Sequence, residues 1–301
     1  MLSNKTAYTF LIITSILWGT NAVIGKILAS HIEPMTMVFV RWIPACILFL
    51  PLSYKYLKKH KAELLENWYL FFFQGVAGMV LFPYFLYWGL QTSTALNASL
   101  IVSISPAIIV ISNHFLGIEK ICLRNVFYCC LSVIGVALLL TKGDMEILLS
   151  LKFTSGDLLM VLAAVIWSYY MVLSKYNPKH IHPFAIVQSQ MIVVAILSPI
   201  LMFAIEGTII LSIEWTATVI SGVVFMIFGS SLLCYYLFIR GTAVTGSLVS
   251  ALFLNLIPIS AALFSITLLG EKLHTYHFIS GTIIAFSIYK LAKQKPLVLP
   301  K

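Results

Sequence analysis

The stretch YTFLIITSILWGTNAVIGKILASHIEP at residues 8–34 decides the fold, because a related stretch, DLLMVLAAVIWSYYMVLSKYNPKHIHP, follows at residues 157–183. The two stretches align at an offset of 149 positions. Identical pairs at this offset include Trp18 and Trp167, Lys26 and Lys175, His31 and His180, and Pro34 and Pro183. Each stretch contains an apolar run close to the roughly 20 residues that a helix needs to cross a bilayer. The repetition predicts two copies of one helical unit.

Four further identical pairs extend the repeat along the chain. They are Trp68 and Trp215 and Gly75 and Gly222 at an offset of 147, and Pro106 and Pro258 and Glu119 and Glu271 at an offset of 152. Eight matches in one order at nearly one offset are hard to obtain by chance, and small insertions in loops account for the drift. We therefore expect a first unit over residues 1–145, a second over 153–293 and a tail over 294–301.

The composition predicts an all-α integral membrane protein whose surroundings are a lipid bilayer. Of the 301 residues, 60% are hydrophobic and 10% are charged, and the mean hydropathy is +1.00. Soluble domains are nearer half apolar and a quarter charged. At about 20 residues per spanning helix, the chain has room for ten helices and for no soluble domain. The expected spans are about 8–28, 35–54, 68–90, 95–116, 122–141, 156–175, 183–205, 215–239, 246–269 and 275–292.

The basic residues predict the orientation of these spans. The net charge of +9 would suit a nucleic-acid partner, but the Lys and Arg residues lie in short segments between apolar runs. With a cytoplasmic N-terminus, fourteen of the 19 fall on the cytoplasmic side, four fall on the other side, and Arg41 lies inside a span. An excess of Lys and Arg marks cytoplasmic loops. Both termini are therefore predicted to be cytoplasmic, and no nucleic-acid partner is expected.

The predicted helix count has a geometric consequence. Each unit has five helices, an odd number, so the second unit enters the membrane from the other side. The units are then inverted repeats, the arrangement of many transporters that work by alternating access. The alternative is an old duplication that was kept only for stability.

Motifs in the first helix of each unit resemble the EamA type of the drug/metabolite transporter superfamily. That helix typically reads Trp-Gly-x-Asn, with a Lys a few residues on and a Pro in the following turn. Residues 18–21, Lys26 and Pro34 match this pattern. The second copy keeps the Trp, Lys and Pro but has Ser168 and Tyr170 where the Gly and Asn stand.

The second and fourth helices carry further motifs of the same family. An Arg followed by an aromatic residue is found at positions 41–42. A mid-helix Pro leading to Leu-Gly-Glu is matched by Pro258 and residues 269–271, and more loosely by Pro106 and residues 117–119. The resemblance covers nearly the whole chain and implies a ten-helix transporter. It does not specify a substrate, since family members move amino acids, nucleotide sugars, purines, S-adenosylmethionine and drugs.

The resemblance and the repeat together predict a secondary transporter that moves small organic metabolites, amino acids or related solutes, by alternating access, as in amino acid export. The alternative transporter substrate is nucleotide-linked, such as S-adenosylmethionine or a nucleotide sugar. A membrane scaffold or receptor is the alternative from another class. An enzyme is not expected, since the chain has no GxSG or HExxH motif and no paired Asp within spans. We expect no cofactor and no metal, a location in a bacterial cytoplasmic membrane, and a protein that can act as a monomer.

Polar side chains within the spans are the candidate substrate-binding residues, because such groups are costly in hydrocarbon unless they face partners or a cavity. The candidates are Trp18, Asn21, Arg41, Tyr84, Trp88, Asn97, Ser103, Trp167, Tyr170, Gln190, Tyr235 and Asn255. Tyr87, Ser230 and Ser231 are further polar residues within spans.

Arg41 is the strongest candidate, because it is the one full charge well inside a predicted span. It could bind a substrate carboxylate or phosphate through two parallel hydrogen bonds. Alternatively, its side chain could extend to the membrane interface or pair with Glu33. The equivalent residue in the second unit is the uncharged Gln190, so the two units differ in charge at this position.

Two expectations concern the transport cycle. Pro106 and Pro258 lie inside predicted helices, where each would favour a kink that could serve as a hinge. No Asp or Glu lies in the middle of a span, and a buried carboxylate is the usual intramembrane proton carrier. We therefore expect facilitated diffusion or exchange, with His114 as the nearest titratable alternative to a carboxylate.

Overall fold

The protein is described by a computed structural model over residues 3–93, 100–117, 122–149, 154–207, 213–260 and 274–293. The regular elements within these ranges are helices. The long helices are α1 (Asn4–Leu28), α2 (Pro34–Lys59), α3 (Trp68–Thr92), α4 (Leu100–Phe115), α5 (Leu123–Leu140), α6 (Ser155–Tyr176), α7 (Pro183–Glu206), α8 (Ala217–Thr245), α9 (Ser247–Ser260) and α10 (Thr275–Ala292). Short helices lie at Lys61–Glu66 and Met145–Leu149.

The apolar helices make the chain an integral membrane protein, as its composition predicted. Within the described ranges, seven helices are long and apolar enough to cross a membrane, namely α1, α2, α3, α5, α6, α7 and α8. α4 and α9 are shorter apolar helices, and each borders residues that lie outside the described ranges.

Local sequence signals set the helix starts. The side chain of Ser3 caps α1, and Thr154 forms a capping box with Asp157 at the start of α6. Pro34 and Pro183 open α2 and α7. The first turn of a helix suits proline, because its missing N–H would have no intrahelical partner there.

Helix packing follows the sequence repeat. The most extensive contacts join α2 to α7, α5 to α10, α1 to α8 and α3 to α6. In the repeat, α2 is equivalent to α7 and α5 to α10, so the first two pairs each join equivalent helices. In the same way, α1 is equivalent to α6 and α8 to α3, so the α1–α8 pair corresponds to the α3–α6 pair. The contacts therefore have the twofold pattern that two equivalent units produce.

Equivalent helices run antiparallel to each other. At the start of α2, the backbone N–H of Met35 donates to Glu206 Oε1 at the last residue of α7, over 2.6 Å. Further along α2, the ring of Phe49 packs against that of Phe184 at the start of α7, with centroids 4.9 Å apart. α5 and α10 also run antiparallel. We call the end of the bundle where α1 begins and α10 ends the terminal face, and the other end the opposite face.

Two glycines mark equivalent close approaches between helices. A Cβ on Gly89 of α3 would lie 2.8 Å from the carbonyl oxygen of Gly156 and 2.8 Å from Met160 of α6. A Cβ on Gly241 of α8 would lie 2.8 Å from Leu11 of α1. Gly241 follows Gly89 by 152 positions, and Met160 follows Leu11 by 149, so both crossings use matching positions of the repeat.

π-helical segments interrupt α3 and α8 near their middles, over Val76–Leu81 and Met226–Leu233. A π-turn shifts the backbone hydrogen bonds by one residue and is often found at functional sites. Carbonyls in both segments accept bonds from side chains: Gly78 O accepts from Tyr235 OH over 2.7 Å, and Ser230 O accepts from Trp18 Nε1 over 3.0 Å. The segments therefore supply backbone acceptors to the interior.

α4 and α9 are interrupted just before their prolines. In α4 the helix is broken at residues 103–104 and resumes at Ser105, which puts Pro106 in a first turn. In α9 a 3₁₀ segment, Leu254–Leu256, precedes Pro258. Regular helix bonding is therefore interrupted at both prolines, and their role as hinges stays a prediction. Each proline starts a new helical piece, where its missing N–H costs no intrahelical bond.

Candidate functional site

A cavity of about 130 Å³ lies among α1, α2, α3, α4, α6, α8 and α9. One water molecule needs roughly 10–15 Å³ of such space, so the cavity is large enough for a small solute. Its lining residues are Trp18, Asn21, Ala22, Arg41, Phe82, Pro83, Leu86, Tyr87, Leu90, Val102, Ser103, Trp167, Tyr235, Leu254, Asn255, Ile257 and Pro258.

Most of the predicted polar candidates meet at this cavity. Those that line it are Trp18, Asn21, Arg41, Ser103, Trp167, Tyr235 and Asn255, and the predicted hinge residue Pro258 lines it too. They come from α1, α2, α4, α6, α8 and α9, so both units contribute. The structure therefore brings together residues that are up to 240 positions apart in the sequence, which runs from Trp18 to Pro258.

The other candidates lie elsewhere or outside the described residues. Tyr84, Tyr170, Gln190 and Pro106 are buried but do not line the cavity. Trp88 is 42% exposed on the outside of α3, against Phe85 and Tyr84. Asn97 lies outside the described residues, as do the glutamates of the two predicted fourth-helix motifs, Glu119 and Glu271.

Arg41 is held in the cavity wall by neutral acceptors. Its Nε donates to Ser231 Oγ over 2.5 Å, one Nη donates to Tyr87 OH over 2.8 Å, and the other donates to Ser230 O over 3.1 Å. The residue is only 4% exposed. These bonds use three of the five N–H donors of a guanidinium, so donors remain for a ligand.

The alternative roles of Arg41 are not seen in the structure. Its burial shows that the side chain does not extend to the membrane interface. Glu33 accepts instead from Gln91 Nε2 over 3.3 Å, at an exposed position. In the described part of the chain, no carboxylate forms a salt bridge with Arg41. A buried cation without an anionic partner is costly, and a bound anion would offset that cost.

An aromatic floor, formed by Trp18, Trp167, Tyr235 and Phe238, lies beside Arg41. Trp18 contacts Trp167 and Tyr235 edge-on with centroids 5.5 Å apart, and Phe238 with centroids 5.1 Å apart. Edge-on contacts at these distances are favourable for aromatic rings. The floor gives the cavity an apolar surface that suits a hydrophobic or planar group of a ligand.

The cavity occupies the part of the bundle toward the opposite face. On α1 it runs from Trp18 to Ala22, and on α3 from Phe82 to Leu90, and both helices run toward that face. On the terminal side of the floor the helices close up. There Ser15 Oγ donates to the carbonyl oxygen of Phe253 over 2.7 Å. The ring of Tyr8 stacks on that of Phe253, with centroids 5.6 Å apart.

Polar contacts hold the helix ends together at the opposite face. The Lys26 ammonium donates to the carbonyl oxygens of Leu90, over 2.5 Å, and Ser93. Ser93 donates in turn to Asp157 at the start of α6. In addition, Glu206 accepts the N–H groups of Met35 and Thr36 at the start of α2. A carboxylate at a helix N-terminus is favoured by the free N–H groups there and by the helix dipole.

Several residues around Arg41 and the cavity were not among the predicted binding residues. Tyr87, Ser230 and Ser231 were recognisable as polar residues within spans, and the structure places all three on Arg41. The apolar lining residues, such as Phe82 and Leu86, carry no such signal, because apolar residues are equally expected on the lipid-facing side. Within the described residues, no cluster of His, Cys, Asp or Glu could hold a metal ion.

Comparisons with known proteins agree with a transporter. The model of the EamA-like transporter family matches the chain twice, over residues 5–141 and 154–292. An uncharacterized transporter of Methanothermobacter thermautotrophicus is 27% identical over 296 residues, which cover 94% of this chain and 85% of that protein. The uncharacterized transporter YyaM of Bacillus subtilis is 23% identical over 282 residues, covering 93% and 92%. A crystal structure with 17% sequence identity superposes with a TM-score of 0.72 over 97% of both chains, which shows a shared fold.

Proposed function

Because the chain belongs to the EamA-like transporter family, we propose that it is a secondary transporter that moves small organic metabolites through the cavity around Arg41. The observation that carries the proposal is the state of Arg41. It is a buried cation in the cavity wall that is held only by neutral groups among the described residues. Such a group attracts an anionic part of a solute. Metabolites with a carboxylate, such as amino acids and related solutes, have this chemistry.

The proposed membrane arrangement is ten spans in two inverted repeats with cytoplasmic termini. The antiparallel packing of α2 against α7 supports it, since equivalent helices of inverted units must run in opposite directions. The two matches of the family model support two units. The excess of Lys and Arg on the side of the termini supports the orientation. We place the protein in the cytoplasmic membrane of a bacterium, where a single chain suffices for transport.

In this orientation the cavity lies toward the outside, and the terminal face is the cytoplasmic side. The contacts of Ser15 and Tyr8 with Phe253 then close the inner side, as in an outward-facing state. Transport requires these contacts to open while those at the opposite face close. The breaks before Pro106 and Pro258 are the proposed hinges, because regular backbone bonding is interrupted there in both units.

A counterflow experiment tests the function. Purified protein is reconstituted into liposomes that are loaded in turn with unlabelled amino acids, other carboxylates, nucleotide-linked compounds or cations, and uptake of the labelled compound is followed. We expect uptake of at least one carboxylate-bearing metabolite by the wild type and none by Arg41→Gln. Normal uptake by folded Arg41→Gln, or substrates that are all cationic, would contradict the assigned role of Arg41. Nucleotide-linked substrates alone would support the alternative substrate class.

A further inference from the structure

A cluster of aromatic and histidine side chains closes the terminal face where α2, α7 and α8 meet. Its centre is Phe184, in the first turn of α7. The ring of Phe184 lies edge-on to those of Tyr56 of α2, Tyr236 of α8 and His182, with centroids 5.5, 4.9 and 5.1 Å apart. The cluster is remote from the cavity, and none of these residues lines it.

His182 holds this cluster in two ways. Its ring stacks on that of Tyr56, with centroids 3.7 Å apart and planes 9° from parallel. Its Nδ1 accepts the backbone N–H of Phe184 over 3.2 Å, which caps the start of α7. That nitrogen can accept only while it carries no proton, because both ring nitrogens of a protonated imidazole are donors. The cap is therefore compatible only with the neutral ring.

Positive groups surround His182. Lys55, Lys59 and His60 approach from the end of α2, and Arg240 approaches from α8, where it also donates to Tyr236 OH. In the segment between α6 and α7, His180 Nε2 lies 3.8 Å from Glu63 Oε1, and that oxygen is 3.6 Å from His60 Nδ1. Burial first, and then the charges of Arg240, His60, Lys55 and Lys59, lower the pKa of His182 from its usual value of 6.5.

Two effects oppose the release of α7 in acid. An imidazolium stacked on Tyr56 gains a weak cation–π attraction. The contact of His180 with Glu63 also holds this segment, but exposed pairs of this kind contribute little, and the side chain of His180 is 65% exposed. Three effects favour release: loss of the cap at the start of α7, burial of the ring, and the like charges near it. We expect these to outweigh the two opposing attractions.

We propose that His182 is a pH sensor, which holds the start of α7 against α2 and α8 while its ring is neutral and releases it when the ring is protonated. The direction follows from proton linkage. The released state has the ordinary pKa and binds a proton more readily than the packed state. The packed state is therefore fully favoured above about pH 6.5 and loses its advantage as the pH falls below that value. The release concerns a conformational contact and does not depend on which solute is transported.

Amide hydrogen exchange in lipid nanodiscs tests the proposal on the full chain. Peptides that cover the start of α7 are followed at pH 7.5 and at pH 5.0, with correction for the intrinsic rates. We expect protection of the wild type to fall in acid, by up to about tenfold for each pKa unit between the two states. His182→Asn keeps a good cap and cannot be protonated in this range. Its protection is expected to equal that of the wild type at pH 7.5 and to stay unchanged at pH 5.0.

His180→Asn is the matched control, because it removes a neighbouring, mostly exposed histidine and leaves the cap in place. It is expected to keep the wild-type response. If His182→Asn does not fold, His182→Ser provides a second cap that does not titrate, and NMR titration of the wild-type His182 ring measures its pKa directly. A wild type without acid response, a response that persists in both His182 variants, or a His182 pKa at or above 6.5 would overturn the proposal.

Discussion

Arg41 and Gln190 occupy equivalent positions in the two units, on the equivalent helices α2 and α7, yet they have different surroundings. Both are buried, with exposures of 4% and 0%. Arg41 faces the cavity and binds Ser231, Tyr87 and Ser230. Gln190 lies away from the cavity and donates to Gln74 Oε1 over 2.5 Å.

The network around Gln190 joins α7 to α3 and α6. Gln74 in turn binds the end of α6. Its Nε2 donates to the carbonyl oxygen of Leu173 and to Asn177 Oδ1, over 3.1 and 2.7 Å. The last carbonyls of a helix lack intrahelical partners, and this network supplies one. The two units therefore share a backbone arrangement, while the single charge of Arg41 makes the first unit the candidate for solute binding.

The largest expected effect is on transport, at Arg41. Arg41→Lys keeps the positive charge but loses the planar fork that can bind a carboxylate through two bonds. Loss of one hydrogen bond to a charged group costs about 1.5–3 kcal/mol, or roughly 10- to 150-fold in affinity. We expect the half-saturation concentration in counterflow to rise by that factor. An unchanged value would mean that the charge alone suffices.

The second effect tests the shared backbone at the two glycines. Ala at position 89 or 241 places a methyl group within about 2.8 Å of the neighbouring helix. Overpacking of this kind costs about 1–3 kcal/mol. Both Gly89→Ala and Gly241→Ala are expected to lower thermal stability in detergent. The loss is expected to be larger for Gly89→Ala, because its Cβ meets a backbone oxygen of α6, whereas the Cβ at position 241 meets the side chain of Leu11. A larger loss in Gly241→Ala would contradict this order, and Gly281→Ala, with nothing within 4 Å of a Cβ, is the control.

The third prediction distinguishes the role of Gln190 from that of its counterpart, Arg41. Gln190→Leu removes the bond to Gln74 and leaves a buried acceptor without its donor, which costs about 1–3 kcal/mol. We expect lower thermal stability and nearly wild-type transport by the folded fraction. The opposite result, with transport lost at normal stability, would place Gln190 in the solute pathway.

The smallest effect compares the equivalent tryptophans. Trp18 Nε1 donates to Ser230 O, whereas Trp167 Nε1 has no hydrogen-bond partner among the described residues. Phe at position 18 should therefore cost about 0.5–1.5 kcal/mol more in unfolding free energy than Phe at position 167. Matched denaturation of Trp18→Phe and Trp167→Phe measures the difference, and equal values would argue against the bond to Ser230.

Much of the architecture and part of the candidate site could be predicted from the sequence. Hydropathy and the Trp18–Trp167 repeat predicted a helical membrane protein with matching segments, and the cost of a buried charge predicted that Arg41 would face a cavity or partners. The same reasoning selected Trp88, which the structure places on the outside, and did not select Tyr87, which lies one position earlier and binds Arg41. The two residues differ only in the direction of their side chains around α3.

The sequence alone determined that the chain is apolar and helical, that its pattern repeats, and that it resembles one family, because these properties depend only on residue types and their spacing along the chain. Only the tertiary structure decided which side of each helix faces the cavity, how the π-helical segments present Gly78 O and Ser230 O, and how His182 meets Tyr56. The physical reason is that lipid chains are as apolar as the protein interior. Hydropathy therefore shows where a membrane helix lies but not how it is rotated about its axis, and packing between helices sets that rotation.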